Sequence, residues 1–343
     1  AFLLINYSNM QVHIKNFYLF LFSILIISSC KNKDIDSPYS DILTRPPFDL
    51  LTDSIRHAPK DDNLYFKRAV LLNLNNFPEP SLADFKKAWS LQKKEEYALG
   101  ASNLLLENKP DSAIVFLQSA LQFLPKSFML RLTLANAFQI IDKTDTALAI
   151  ANQLLDEYPE QVDVMKMKAQ LLVSKNDDAA ALQILEKAYQ LTPYDLELNY
   201  QLAFKYAEAK NPKVIALCDS LIQKDSMGHA AEPYYFKGIY YSNTHDNGKA
   251  LAMFNQAIQN NYSYLNAYIE KGRIYFVEKK YTDALQTFQL ANKVSTTFPD
   301  AYYWMGRCQE AMGQKDEARL NYERAYGLDN SFTEARESAE KLK

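Results

Sequence analysis

The chain has 343 residues, too many for one ordinary globular core, and carries 38 Lys+Arg against 41 Asp+Glu for a formal net charge of −3. This mild acidic excess, with no basic block, excludes the positive footprint that nucleic-acid binding requires. The three cysteines, Cys30, Cys218 and Cys308, are too scattered for a disulfide framework. Cys218 and Cys308 read as small buried apolar residues.

Residues 1–9 lack an initiating Met and read as an upstream extension, with Met10 as the start. His13 and Lys15 then precede an apolar run from Phe17 to Ile27, too short to span a bilayer as a helix but suited to the core of a signal peptide over residues 1–29. The run ends Ile27-Ser28-Ser29-Cys30, which resembles a bacterial lipobox. That resemblance implies cleavage before Cys30, acylation of Cys30 and anchoring in the envelope membrane. Asn32 after the cysteine is similar to lipoproteins released to the outer membrane, and Lys31–Asp36 resembles the surface-export signals of Bacteroidetes lipoproteins. Residues 30–46 are polar and proline-bearing and are expected to form a flexible tether. Residues 47–61, with Leu51, Ser54 and Ile55 in register with the apolar positions downstream, are expected to form a leading helix.

From Asp62 onward one pattern repeats. Gly238, Gly272 and Gly306 are spaced by 34 residues, as are Ala250, Ala284 and Ala318, then Phe254, Phe288 and Tyr322, then Ala257, Ala291 and Ala325. Upstream, Pro125, Pro159 and Pro193 keep the period, each where a second helix must stop. Units begin near residues 62, 94, 128, 162, 196, 231, 265 and 299, covering 62–332, and a polar amphipathic stretch at 333–343 is expected to cap the array. Each predicted helix is about a dozen residues, too short to be stable alone in water. Gly or Ala marks the closest approach of the two helices in a unit, and the aromatic and aliphatic residues beside it fill the remaining space.

This grammar resembles the tetratricopeptide repeat over about four fifths of the chain. No unit has Trp in the first aromatic slot, and the last three end with Tyr262, Thr296 and Asn330 in place of proline. The resemblance implies an all-α fold, a right-handed α-solenoid of about eight helical hairpins with a leading helix and a capping helix. It also implies a concave groove, lined by the first helix of each hairpin, that binds protein segments. In the C-terminal half its lining residues are Tyr200, Phe204, Tyr235, Phe236, Arg273, Phe276, Tyr303, Trp304 and Arg307. Aromatics and arginine are the types in which binding energy concentrates. The Lys/Asn/Arg clamp of chaperone-cofactor relatives is not reproduced; Lys166 with Gln170 comes nearest, and Asp163 stands beside it.

No phosphate-binding glycine loop, zinc-protease motif or C-x-x-C occurs, and His13, His57, His229 and His245 show no metal-ligand spacing. The acid pairs Asp61-Asp62 and Asp177-Asp178 fall where helix N-caps belong. No catalytic residue, metal or cofactor is expected. The reading is a non-catalytic scaffold of the bacterial envelope whose partners are envelope proteins or their segments, with a surface lipoprotein binding carbohydrate or small ligands as the alternative. The longer linker before Ala231 suggests a hinge at 225–233.

Overall fold

The structure, a computed structural model, describes residues 38–343. The expected signal peptide, the lipidated Cys30 and the tether to residue 37 lie outside the described residues. Within them are nineteen α-helices and no strand. The leading segment holds α1 (Ser40–Leu43) and α2 (Asp49–His57). Eight hairpins come next: α3 (Asp62–Leu74) with α4 (Pro78–Leu91), α5 (Glu95–Asn108) with α6 (Pro110–Phe123), α7 (Phe128–Ile140) with α8 (Thr144–Glu157), and α9 (Val162–Ser174) with α10 (Asp178–Leu191). The remaining four are α11 (Leu196–Glu208) with α12 (Lys213–Lys224), α13 (Glu232–Asn243) with α14 (Asn247–Asn260), α15 (Leu265–Val277) with α16 (Tyr281–Val294), and α17 (Pro299–Ala311) with α18 (Lys315–Leu328). The last helix, α19 (Thr333–Lys341), buries Ala335 and Ala339.

The helices form two compact units, one ending at Leu154 and the other running Leu155–Lys343, with the division inside α8. In the first unit the chain is folded from residue 38, which corrects the expectation of a flexible tether up to 46. Leu43 and Phe48 are buried against Leu72 of α3, and the Thr52 hydroxyl donates to the Leu43 carbonyl at 2.6 Å. Leu43 within the polar, proline-bearing stretch and Phe48 just beyond it are enough to dock it. Arg68 of α3, also buried, makes a two-pronged ion pair with Asp84 of α4 at 2.7 and 2.9 Å and donates to Thr52 Oγ1 at 2.9 Å. The leading helix is therefore tied to the first hairpin by polar as well as apolar contacts.

The second unit shows why the period is steric. A Cβ placed on Gly238 would stand 2.5 Å from the Phe254 ring, and one on Gly306 would stand 2.8 Å from the Tyr322 ring; Gly272 faces Phe288 in the same way. Ala250, Ala257, Ala284, Ala291, Ala318 and Ala325 are fully buried, as are these three rings. Each hairpin turns through one left-handed residue: Asn176 (φ 59°), Lys210 (54°), His245 (64°), Lys279 (60°) and Gly313 (80°). The amide after it donates to the carbonyl five residues back, as in Asp246 N to Tyr241 O at 2.8 Å and Lys280 N to Tyr275 O at 2.9 Å. Asp177, Asp195 and Asp246 accept from backbone amides as helix N-caps.

The suggested hinge at 225–233 lies inside this second unit. Asp225 folds the linker back on itself, accepting from Met227 N at 3.2 Å and Ala230 N at 2.7 Å, and Asn260 Nδ2 donates to the Ala230 carbonyl at 3.1 Å. Extra length there is absorbed by a side-chain-bonded turn, and the boundary between compact units falls elsewhere.

Candidate functional site

The nine residues expected to line a binding face all belong to first helices of hairpins in the second unit: Tyr200 and Phe204 on α11, Tyr235 and Phe236 on α13, Arg273 and Phe276 on α15, Tyr303, Trp304 and Arg307 on α17. They form two clusters. In the first, Phe236 packs 5.9 Å from Tyr200, 5.8 Å from Phe204 and 6.0 Å from Tyr235, ring centre to ring centre. Tyr235 and Phe236 are buried, and only Tyr200 and Phe204 retain partial exposure. Half of this cluster is thus packing between hairpins. Burial raises the Tyr235 hydroxyl above its ordinary pKa, with the Glu270 charge adding to it, and burial followed by Glu232 does the same at Tyr200. Both hydroxyls stay protonated and neutral.

The second cluster is built around Trp304. Its ring stacks on Phe288 at 5.8 Å and meets Phe276 edge-on at 5.6 Å. Two guanidinium groups lie on it, Arg273 at 5.6 Å and Arg307 at 5.5 Å from the ring centre. Arg307 also lies 5.4 Å from Phe276 and 5.9 Å from Tyr303, and donates to the Tyr303 hydroxyl at 3.2 Å. The two arginines hold the same slot in successive hairpins but differ in pairing. Arg273 is half exposed and sits 2.7 Å from Glu270 Oε1, one turn back. Arg307 has Trp304 at that place and forms no ion pair among the described residues, although the Glu310 charge acts on it from further off.

Lys166 does not resemble a free clamp residue. Its ammonium is 2.7 Å from Glu197, 3.3 Å from Asp195 and 3.4 Å from Asp163. Among the described residues no group of three or more His, Cys, Asp or Glu could hold a metal ion. Cys218 and Cys308 are free buried thiols, and burial pushes each up to about 12, which leaves them without nucleophilic thiolate at neutral pH. Sequence reasoning placed Phe288 in the repeat but missed that Trp304 rests on its ring, and it missed Glu270, the partner of Arg273. Each was visible as a spacing: Phe288 sixteen residues after Gly272, Glu270 three before Arg273.

A tetratricopeptide repeat family model matches residues 132–195 and 237–293, and a second one matches 299–332. Over those residues the chain carries tetratricopeptide repeats. The likeness extends to solved structures. A tetratricopeptide repeat protein from Parabacteroides merdae superimposes with a TM-score of 0.61 at 17% identity, over 72% of this chain and 97% of that one. The Cut9–Hcn1 hetero-tetramer of the APC/C gives a TM-score of 0.50 at 13% identity, over 86% of this chain and 58% of that one. Identities this low speak for a shared fold alone. No curated protein gives a significant sequence match. Within these repeats the arginine–aromatic cluster belongs to the stretches matched at 237–293 and 299–332.

Proposed function

We propose that this tetratricopeptide chain is a non-catalytic interaction scaffold of the bacterial cell envelope, anchored through an acylated Cys30, probing envelope proteins with the first-helix face of its second unit. The observation that carries the binding face is Arg307. A guanidinium held among three rings, with one hydroxyl partner and no ion pair among the described residues, keeps most of its donors for an incoming acceptor. The lipobox-like Ile27-Ser28-Ser29-Cys30 supports the envelope address. Trp304 is engaged by Phe288 and two guanidinium groups, so the ring best suited to stack on a sugar is already occupied, and protein segments fit this face better than carbohydrate.

The test is capture of partners from envelope extracts by the wild-type chain and by Arg273→Glu with Arg307→Glu. Loss of specific partners in the double variant is expected; an unchanged set overturns the assignment of this face. Incorporation of labelled palmitate, abolished in Cys30→Ala, tests the anchor.

A further inference from the structure

Between α9 and α11, inside the second unit, the surface opens into a cavity of about 260 Å³. The buried side chains of Ala169 and Leu185 line it, half-buried Val173 and Phe204 extend its apolar wall, and Gln170, Gln201 and Lys205 complete it. Phe204 is braced by Phe236 at 5.8 Å, so the wall is fixed. The volume is several times the roughly 30 Å³ share of a water and falls just short of the ~300 Å³ at which drug-sized ligand pockets begin. It suits one apolar side chain.

The charges beside the cavity decide which segment would bring that side chain. On one side stand Lys166 and its three carboxylates, Asp163, Asp195 and Glu197; on the other stands Lys205, 2.6 Å from Glu208 and 3.0 Å from Asp178. Two lysines are matched against five carboxylates. Both lysine side chains are only 14% exposed, whereas Asp163, Glu197 and Asp178 are 79%, 65% and 67% exposed. The cations lie underneath and three of the five carboxylates point outward, with Glu208 41% and Asp195 27% exposed, so an approaching molecule meets a predominantly negative rim beside an apolar hollow.

We propose that this cavity seats one apolar side chain of an extended segment whose neighbouring residues are Lys or Arg. In an extended chain, alternate side chains share a face and residues advance about 3.3 Å each. With an apolar residue in the cavity, basic residues two places before and after it reach Asp163 and Glu197 on one side and Asp178 and Glu208 on the other. Each contact is a charge-assisted hydrogen bond to a carboxylate that is already exposed. A segment with acidic flanks is repelled by the same rim, which supplies the discrimination. The proposal rests on reading this face as peptide-binding and specifies the chemistry of the segment.

The experiment is fluorescence anisotropy of the full chain with three short dye-labelled peptides in a Gly-Ser background: a Leu flanked at both second neighbours by Lys, the same peptide with Glu for Lys, and the same with Ser for Leu. The Lys-Leu-Lys peptide is expected to bind about tenfold or more tighter than either control, and to weaken as salt is added. Gln201→Trp, which crowds the cavity, weakens it about tenfold, and Glu197→Lys with Asp178→Lys inverts the preference toward the Glu-flanked peptide. Inversion is an outcome that misfolding does not produce. Equal affinity for the three peptides, no binding of any, or an unchanged preference in the charge-reversed chain overturns the proposal. If the Arg273/Arg307 variant still loses envelope partners while the peptides fail, the peptide-binding face stands and this cavity is not part of it. If the peptides discriminate but the arginine variant changes nothing, the reverse holds.

Discussion

Gly238 lies against the ring of Phe254, so close that a Cβ on the glycine would fall 2.5 Å from the ring edge. Gly306 meets Tyr322 in the same way at 2.8 Å. A helical Gly→Ala change normally gains up to about 1 kcal/mol, but overpacking a filled core costs about 1–3 kcal/mol. The second effect wins here, and Gly238→Ala should lose about 1–2 kcal/mol. Gly327, inside α18 with nothing within 4 Å of its Cβ position, is the internal control. Gly327→Ala should gain about 0.5–1 kcal/mol. Chemical denaturation of both variants checks this; the same sign for both would refute the steric account of the period.

That contact explains why the hairpins were legible in the sequence. Glycine and ring are sixteen residues apart on paired helices, so the constraint is written locally and repeats with the unit. The face built between hairpins was less legible. Tyr200 and Tyr235 hold equivalent slots, yet Tyr235 is enclosed by Phe236, Phe254 and Tyr264 while Tyr200 stays partly exposed. Arg273 and Arg307 likewise share a slot, and the residue one turn earlier, Glu270 or Trp304, decides whether the cation is neutralised. Residues 38–46 were hidden for another reason. Their composition is that of a tether, and only packing with Phe48 and Leu72 reveals Leu43 as core.

The buried pair of Arg68 with Asp84 should be costly to break from one side. Asp84→Ala leaves a buried guanidinium without its counter-charge, and one-sided losses of this kind cost about 3–5 kcal/mol. Replacing both partners by apolar residues of similar volume, Arg68→Met with Asp84→Leu, should cost much less. A double-mutant cycle on the denaturation midpoint measures the difference. Thr52→Val should also weaken the dock of the leading segment, because Thr52 links Arg68 to the Leu43 carbonyl.

Two carboxylates should respond to pH with opposite signs. Lys213 and then Tyr206 hold the Glu186 carboxyl below its ordinary value. Its stabilisation is present above the unfolded pKa and is lost as pH falls through the folded one. Glu186→Gln should therefore lower Tm at pH 7 and leave it unchanged in acid. Asp300 is raised instead, by burial and then by the Asp329 charge. Between its unfolded and folded pKa values the native state holds the extra proton, so stability declines as pH rises through that window. Asp300→Asn should raise Tm at pH 7, and the gain should vanish in acid. Thermal melts of the two variants across the acidic range check both, and a common sign would show that these environments are misassigned.

Arg307 and Arg273 should differ in what they contribute to stability, and this bears on how binding data for the face are read. Exposed cation–π contacts contribute about 0.5–1 kcal/mol and desolvated ones about 2 kcal/mol. Arg307 is half buried among Phe276, Tyr303 and Trp304, so Arg307→Ala should cost about 1–2 kcal/mol. Arg273 is half exposed and its main partner is Glu270 on the same helix, a pairing worth about 0.3–0.5 kcal/mol, so Arg273→Ala should cost under about 1 kcal/mol. Neither loss is large enough to unfold a domain of ordinary stability, about 5–15 kcal/mol. Denaturation curves with unchanged slope and these small midpoint shifts would establish that both variants remain folded. Any loss of partners by Arg307→Ala then belongs to the guanidinium and not to collapse of the ring cluster beneath it. A cost for Arg307→Ala as small as that for Arg273→Ala would mean that the rings do not hold this cation, and the argument for it as the anchor of the face would fail with them.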